Sequence, residues 1–185
     1  AKRFRVSPGQ EVWVVGLGLI GQFAAQAARA LGGHVTVADI NLERLELAKQ
    51  VGAHRGLFAS DPDYDAQVKS GGPYDVIIDC AGHPPFVRDL FEKHLVNHGV
   101  VVGLLAVRTD TVFKWSMLHM SEGSIEVSCH FSVADLRGLL RYIQDGVIRI
   151  DPLISHRVSI DQAPEIYATL RDRPADLLGV VFDWR

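Results

Sequence analysis

The sequence predicts an α/β fold: a doubly wound, mostly parallel sheet of six strands with helices on both faces. Short apolar runs alternate with amphipathic segments along the chain, without an internal repeat or low-complexity linker. Several of these runs lie between glycines or turn residues, as buried parallel strands do. The 185 residues, of which 48% are hydrophobic, suit one compact domain.

The first strand and the first helix meet at a glycine-rich turn. The apolar run that starts at Val12 continues directly into Gly16-x-Gly18-x-x-Gly21. The following segment carries one apolar stripe at helical spacing, formed by Ile20, Phe23, Ala24, Ala27 and Leu31. Two glycines after this stripe, at 32 and 33, predict the end of the helix.

Each glycine of the motif has its own physical reason. Gly16 permits the tight turn, Gly18 lets the main chain approach a pyrophosphate, and Gly21 allows close packing of helix on strand. The first helical turn also offers free N–H groups and the positive end of the helix dipole. The motif therefore predicts a dinucleotide site. The alternative is a tight strand–helix turn that binds no ligand.

An acidic residue ends the predicted second strand, His34–Asp39. Asp39 follows Gly21 by eighteen residues. A carboxylate at this place accepts hydrogen bonds from both ribose hydroxyls and repels a 2′-phosphate, so we expect NAD rather than NADP. Arg44 lies five residues further on, near the expected ribose, and slightly weakens that preference.

The remaining elements follow from the same alternation of patterns. Further helices are predicted at 42–51, 62–70, 86–95, 132–145 and 161–170. Further strands are predicted at 56–58, 74–80, 99–103, 124–129, 154–159 and 179–182. Gly52 separates the helix at 42–51 from the strand at 56–58, and the turn sequence at 71–73 separates the helix at 62–70 from the strand at 74–80.

Ligands of such sheets bind in a crevice beyond the carboxyl ends of the strands. This rule brings together residues 16–21, Asp39, 80–83, 102–104 and 127–130. We expect the first two groups to meet the pyrophosphate and the adenosine. The groups that follow the later strands would lie nearer the nicotinamide.

Composition and charge argue against several classes of partner. The formal net charge is −3 and no basic run occurs, which argues against nucleic acid. No apolar stretch reaches the roughly 18–20 residues of a membrane span, and no apolar signal segment follows the N-terminus. Cys80 and Cys129 are the only cysteines and are interpreted as buried residues in a reducing compartment. We therefore expect a cytoplasmic protein that contacts neither nucleic acid nor a membrane.

Several motifs occur together in a specific order, at 8–21, 39–53, 74–82, 99–103, 151–156 and 160–167. Together they resemble the coenzyme-binding half of the medium-chain dehydrogenase/reductase superfamily, in particular its zinc-type alcohol and polyol dehydrogenases. The resemblance runs from about residue 7 to the C-terminus. It implies a Rossmann fold and a NAD(P)-linked oxidoreductase that transfers a hydride between a primary or secondary alcohol and nicotinamide.

The resemblance also implies which residues contact the coenzyme. Leu19 and Ile20 would contact the pyrophosphate, and Asp39 and Arg44 would flank the adenosine ribose. Ala81 and Gly82 would lie by the adenosine half, and Val102 and Val127 by the nicotinamide. The first pair would bind through backbone N–H groups. Gly16, Gly18 and Gly21 complete the expected site.

The chain departs from the superfamily in one respect. Zinc-type members carry a separate, mostly N-terminal catalytic domain with the zinc ligands and the proton relay, and nothing here matches those positions. We therefore predict no catalytic residue and no metal ligand in this chain, and place zinc in a missing domain of a longer parent. The alternative is a standalone nucleotide-sensing module without catalysis.

The chain is accordingly interpreted as a single dinucleotide-binding domain over residues 1–185, a fragment of its parent. Residues 1–6 form a lead-in, and the helix and strands from about 150–185 would pack toward the missing domain. The expected partners are a small alcohol or ketone substrate and further copies of the chain, joined through the coenzyme domain.

Four further features allow both a functional and a structural interpretation. His94 and His98 have a spacing that suits a metal on a helix, but no third ligand is evident. His83 is interpreted either as a contact of adenine or a phosphate or as a solvated loop residue. His130 is interpreted either as a proton relay or as a polar side chain that serves packing. The apolar cluster at 115–120 belongs to the core, or to an interface.

Overall fold

A computed structural model of the protein describes residues 2–107 and 110–185. Residue 1 of the predicted lead-in lies outside them. The chain divides into a unit that ends at Ile148 and a unit from Arg149 to Arg185. The strands of the first unit are β1 (Glu11–Val15), β2 (His34–Asp39), β3 (Arg55–Phe58), β4 (Tyr74–Asp79), β5 (Val96–Leu104) and β6 (Ser124–Val127). Its helices are α1 (Leu19–Ala30), α2 (Leu42–Gln50), α3 (Tyr64–Gly71), α4 (Phe86–Glu92), α5 (Trp115–Met120) and α6 (Val133–Gln144).

The six strands form one parallel sheet in the order β3-β2-β1-β4-β5-β6. Alternate residues of β1 enter opposite layers of the core: Val12 and Val14 pack in the layer that holds α1 and α2, and Trp13 packs in the layer of α3, α4 and α5. The predicted doubly wound α/β fold is therefore confirmed. The order of strands reverses between β1 and β4, which is where such sheets open a ligand crevice.

The largest difference from the predicted elements lies between α4 and β5. The helix expected to reach residue 95 ends at Glu92, because His94 adopts a left-handed conformation with φ of 55°. The N–H of Leu95 then bonds to the carbonyl of Leu90 at 3.0 Å. The strand consequently starts at Val96 rather than at residue 99, so neither of the two histidines lies on a helix.

A short helix, α5, occupies the segment interpreted as an apolar cluster. Leu118 is buried and Met117 is partly buried against the sheet, whereas Trp115 and Met120 are exposed. Cys129 is also exposed, because β6 ends two residues before it. The prediction that Cys129 is buried in a strand is therefore wrong.

The N-terminal lead-in packs on the sheet. Phe4 and Val6 are buried in the core layer of α1 and α2. The ring of Phe4 lies against the main chain of β5, since a Cβ placed on Gly103 would lie 2.7 Å from it. Arg5 donates hydrogen bonds to Ser124 Oγ at 2.9 Å and to Glu126 Oε1 at 2.6 Å. The lead-in thus covers the β5–β6 side of the sheet.

The second unit contains β7 (Ile154–Ser159), α7 (Ala163–Asp172) and β8 (Gly179–Asp183). Its two strands pair in parallel and form a separate sheet. The rings of Tyr167 and Phe182 stack with centroids 6.3 Å apart. No helix within residues 2–107 and 110–185 is long and apolar enough to cross a membrane.

Candidate functional site

The glycine turn has the geometry that the motif predicts. Gly16 has a φ of +86°, and its N–H donates to the carbonyl of Ala38 at 2.9 Å. A Cβ on Gly16 would lie 2.9 Å from the backbone N of Ala81, the residue that starts the turn after β4. A Cβ on Gly21 would lie 1.8 Å from the carbonyl oxygen of Gly16, so α1 packs on the turn at a distance that excludes every side chain.

The N-terminus of α1 carries no side-chain cap. Gly18 is the N-cap residue, and the first turn contains no acidic residue. A Cβ on Gly18 would meet nothing within 4 Å, so the space in front of the helix is open. Leu19 and Ile20 are exposed there. Free N–H groups at the positive end of a helix dipole favour an anion, and phosphate is the usual one.

Asp39, the last residue of β2, is nearly buried and holds the glycine turn. Its Oδ2 accepts a hydrogen bond from the N–H of Leu17, within the motif. Its Oδ1 accepts from the N–H of Asn41 at 2.8 Å. Sequence reasoning found Asp39 but not its bond to Leu17, whose only signal was its place between two motif glycines. The carboxylate thus ties the end of β2 to the turn and to the start of α2.

Arg44 lies in the first turn of α2. The side chain of Asn41 caps this helix by accepting from the N–H of Arg44 at 3.1 Å. The carbonyl of Arg44 accepts from Nε2 of Gln22 at 2.8 Å, and Gln22 is fully buried on α1. These bonds fix the start of α2, and with it Arg44, relative to the helix that follows the glycine turn.

The turn after β4 is held by the buried end of that strand. The N–H groups of Ala81 and Gly82 both donate to Oδ1 of Asp79, each at 2.9 Å. Gly82 has a φ of +78°, which favours glycine, and a Cβ there would lie 3.0 Å from Cβ of Ala106. Ala81 and Gly82 therefore stand at the carboxyl edge, next to the segment that follows β5.

The structure separates the two residues expected near the nicotinamide. Val127 ends β6, is exposed, and is paired with Leu104 at the end of β5. Val102 is fully buried inside β5, in register with Ile77 and Ile125. The predicted edge position of Val102 is therefore wrong, because the strand continues through Leu104.

A cavity of about 400 Å³ lies on the α3–α4 side of the sheet. Its wall includes Ile40, next to Asp39, and also Ala59, Tyr64 and His83. Trp13 completes it from within the sheet. Thus His83, interpreted as either a ligand contact or a solvated loop residue, lines this cavity.

Trp13 is anchored by aromatic neighbours. Its ring stacks on Tyr74 with centroids 5.1 Å apart and is tilted against Phe86 at 5.6 Å. A second cavity of similar volume lies between Lys2, α1 and α6. Of these two cavities, the one beside Asp39 is lined by Ile40 and His83, which follow β2 and β4 at the carboxyl edge, so it is the one relevant to the predicted ligand.

Two titratable side chains near this edge are held in their neutral forms. Burial raises the pKa of the Cys80 thiol to about 12, with the charge of Asp79 adding to the shift. Burial likewise raises the pKa of Tyr64 well above its ordinary value. Both groups keep their protons at neutral pH, so neither acts as a base or nucleophile there.

The remaining histidines do not gather into a metal site. Nε2 of His98 lies 3.7 Å from Oε2 of Glu122, and Nε2 of His130 lies 3.5 Å from Sγ of Cys129. Among residues 2–107 and 110–185, no group of three or more His, Cys, Asp or Glu side chains is arranged to hold a metal ion.

The family of the chain follows from a comparison with protein-family models. The model described as zinc-binding dehydrogenase matches residues 20–145, more than half of the chain. The chain belongs to the zinc-binding dehydrogenase family. The matched segment runs from the first turn of α1 through α6 and begins after Gly16 and Gly18 of the glycine motif. The resemblance to the coenzyme-binding half of the medium-chain dehydrogenase/reductase superfamily is thereby confirmed.

Curated relatives of this family member are about twice its length. L-threonine 3-dehydrogenase of Chromobacterium violaceum is 28% identical over 183 residues, which cover 96% of this chain and 52% of that protein. L-threonine 3-dehydrogenase of Anaeromyxobacter sp. (strain Fw109-5) is 30% identical over 188 residues, which cover 95% of this chain and 52% of that protein. The chain therefore spans about half the length of the relatives it matches.

Solved structures agree with the fold of this zinc-binding dehydrogenase family member. A short chain alcohol dehydrogenase from E. coli CFT073, complexed with cofactor NADH, superposes with a TM-score of 0.87 at 21% identity, over 99% of this chain and 55% of that one. Alcohol dehydrogenase TADH from Thermus sp. ATN1 gives a TM-score of 0.87 at 23% identity, over 100% and 54%. At this level of identity the likeness establishes the shared fold.

Proposed function

We propose that the chain binds NAD(H) at the carboxyl edge of β1, β2 and β4, as the coenzyme-binding part of a longer alcohol or polyol dehydrogenase. One observation carries the proposal. The uncapped N-terminus of α1 opens onto free space at Gly18, beside a turn that the carboxylate of Asp39 holds in place. A site for an anion next to an acceptor for hydroxyl groups fits a pyrophosphate joined to a ribose.

The residues present fit the two polar parts of this coenzyme. The N–H groups of Leu19 and Ile20, at the open end of α1, would bind the pyrophosphate. The carboxylate of Asp39 already accepts two backbone N–H groups, and its remaining lone pairs would accept from ribose hydroxyls. Arg44 would flank the same ribose from the start of α2. The negative charge of Asp39 favours NAD over NADP, because a 2′-phosphate would be repelled.

The cavity beside Asp39 suits the adenine ring. Ile40 and His83 line it, and the turn of Ala81 and Gly82 lies next to His83 in the chain. On the other side of the crevice, Val127 is exposed at the end of β6, where the nicotinamide would lie. Both ends of the coenzyme would therefore find side chains along one edge of the sheet.

The chemistry of the proposed reaction is divided between two parts of a longer protein. NAD, when bound, supplies the acceptor for a hydride from an alcohol carbon. The residues of this chain bind and orient the dinucleotide, and Cys80, which keeps its proton at neutral pH, contributes no base. The groups that act on the alcohol oxygen, including zinc, would belong to the other part, toward which residues 150–185 would pack. We further propose a cytoplasmic homo-oligomer, joined through the coenzyme domain.

The substrate proposed for the longer protein is a small alcohol or the corresponding ketone. Two relatives are L-threonine 3-dehydrogenases, so L-threonine is the first compound to test. An upstream region of the parent reading frame with Cys, His and Glu at zinc-ligand spacing would support the dehydrogenase. A parent without such a region would favour the standalone nucleotide-binding module instead.

Calorimetric titration of the chain with NAD⁺ and NADP⁺ tests the coenzyme. We expect NAD⁺ to bind at least about tenfold more tightly, a difference of about 1.4 kcal/mol in binding free energy. Asp39→Asn removes the charge and should narrow this gap. Asp61→Asn is the matched control, because Asp61 follows the neighbouring β3 and accepts one backbone N–H, from Asp63 at 2.8 Å. Equal affinities in the unsubstituted chain would contradict the NAD preference, and no binding of either would contradict the dinucleotide site.

A further inference from the structure

Asp79, the last residue of β4, joins the turn after β4 to the turn after β5, on the β4 side of the crevice. Its carboxylate Oδ1 accepts hydrogen bonds from the N–H groups of Ala81 and Gly82, both at 2.9 Å. Its carbonyl oxygen accepts from the N–H groups of Leu105 at 2.9 Å and Ala106 at 3.2 Å. One residue therefore fixes the turn after β4 through its side chain and the turn after β5 through its main chain.

The place of Asp79 in the sheet gives these bonds their significance. Asp79 is in register with Val15 of β1 on one side and with Leu104 of β5 on the other. It thus lies at the reversal of strand order between β1 and β4, under the crevice. The turn that it holds packs against the glycine motif, since Ala81 lies within 3.0 Å of a Cβ placed on Gly16.

The side chain of Asp79 is fully buried, so it cannot touch a ligand in the crevice. A carboxylate that accepts two backbone N–H groups forms charge-assisted bonds, which are stronger than neutral ones. Both N–H groups are thus engaged by Asp79. Without them the two groups would need other partners, and the turn beside Gly16 would change its path.

We propose that Asp79 is a positioning residue for the dinucleotide, which holds the adenosine-side turn at Ala81 and Gly82 in register with the turn after β5. This inference rests on the proposed function, because the positioned object is the bound coenzyme. Asp79 acts through the main chain of the two turns. It takes no part in binding through contact of its own.

The chain supplies a matched control on the same strand. Asp75, near the start of β4, also accepts two hydrogen bonds, from the N–H of Glu11 at 2.8 Å and from Nδ2 of Asn97 at 2.7 Å. It joins the starts of β1, β4 and β5 at the edge opposite the crevice. Removing the Asp75 side chain therefore lowers stability through the loss of the same kind of hydrogen bond, but it leaves the turns after β4 and β5 in place.

The test measures NADH affinity by calorimetry on the full chain and on Asp79→Ala, Asp79→Asn and Asp75→Ala. We expect Asp79→Ala to weaken NADH binding about tenfold, which is about 1.4 kcal/mol of binding free energy. Asp79→Asn should recover part of the affinity, because its amide oxygen accepts the same two N–H groups without the charge that strengthens these bonds. Asp75→Ala should lower the urea midpoint of unfolding but bind NADH like the unsubstituted chain. Amide hydrogen exchange should show faster exchange at Ala81 and Gly82 in Asp79→Ala alone.

The other possible results contradict either the positioning role of Asp79 or the proposed binding of NADH. Unchanged affinity in Asp79→Ala, or no recovery in Asp79→Asn, overturns the positioning role while the proposed function stands. An equal loss in Asp75→Ala overturns it as well, because general destabilisation would then explain the effect. A folded, unsubstituted chain that does not bind NADH overturns the proposed function and the inference together. If Asp79→Ala fails to fold, the comparison of Asp79→Asn with Asp75→Ala decides, and NADH binding that is no weaker in Asp79→Asn than in Asp75→Ala overturns the inference.

Discussion

Contacts of single atoms determine which positions of the glycine turn can accept a side chain. Gly21 and Gly18 belong to the same motif, yet their surroundings are opposite. A Cβ on Gly21 would overlap the carbonyl oxygen of Gly16 at 1.8 Å, whereas a Cβ on Gly18 would meet nothing within 4 Å. Gly18 also has a φ of −61°, which any residue adopts. Gly21 thus serves the packing of α1 on the turn, whereas Gly18 leaves open space in front of the helix, where a ligand would fit.

Alanine at these two positions should therefore separate stability from binding. Gly21→Ala should lower the free energy of unfolding by about 3 kcal/mol or prevent folding, because overpacking against main chain cannot relax. Gly18→Ala should lower the free energy of unfolding by no more than about 1 kcal/mol, because alanine is a poorer N-cap than glycine but its methyl group meets no protein atom here. It should nevertheless weaken NADH binding, because its methyl group occupies the open space. Urea unfolding and calorimetry measure the two effects, and a destabilised Gly18→Ala with normal affinity would contradict the assignment.

At the scale of elements, β2 and β3 begin beside a pair of histidines. Nδ1 of His54 accepts a hydrogen bond from the N–H of Val35 at 2.8 Å, and its ring lies 4.3 Å from that of His34. Desolvation lowers the pKa of His54 below its ordinary value of 6.5, and the charges of Arg29 and His34 lower it further, against a smaller opposite effect of Glu11. The folded state thus prefers the neutral ring, which is the form that accepts the hydrogen bond from Val35.

The sign of the resulting pH dependence follows from proton binding. As the pH falls below 6.5, the unfolded chain takes up a proton at His54 before the folded chain does. The contribution of His54 to stability is therefore present above that pH and is lost as the pH falls through the folded-state pKa. Urea unfolding between about pH 7.5 and 5.5 should show decreasing stability, with a smaller decrease in His54→Gln. His119→Gln is the control, because His119 is an exposed histidine on α5. The same slope in His54→Gln as in the unsubstituted chain would contradict the assignment.

At the scale of the whole molecule, every residue of the candidate site lies in the first unit. The glycine turn, Asp39, the turn after β4 and Val127 all precede Ile148, where that unit ends. The second unit has its own parallel strand pair and a stacked aromatic pair. Coenzyme binding is thus expected to be a property of the first unit.

A chain shortened to end at Ile148 should therefore fold and bind NADH with an affinity within about threefold of the full chain, as expected of a unit with its own core. Circular dichroism checks folding, and calorimetry checks affinity. A folded but non-binding product would show that residues 149–185 contribute to the site. An unfolded product would show that the first unit depends on the second.

The sequence predicted the features that depend on residues close together along the chain. The turn at Gly16 and the acid at Asp39 follow from residue types at fixed spacing, and both occupy the predicted edge. Val102 was misplaced because Gly103 predicts the boundary of β5, whereas the strand runs through Gly103 to Leu104. The end of α4 was misplaced because a left-handed His94 has no reliable sequence signal. The role of Asp79 depends on contacts with the turn after β5, which no local pattern contains.

The position of Trp13 gives the molecule an internal optical reporter. Trp13 is 3% exposed and lines the cavity proposed for adenine, whereas Trp115 and Trp184, the other two tryptophans, are exposed. A soluble quencher such as acrylamide should therefore remove the emission of the two exposed indoles first and leave a shielded component from Trp13. Energy transfer from that component to the nicotinamide of bound NADH would then follow occupancy of the crevice without any added label.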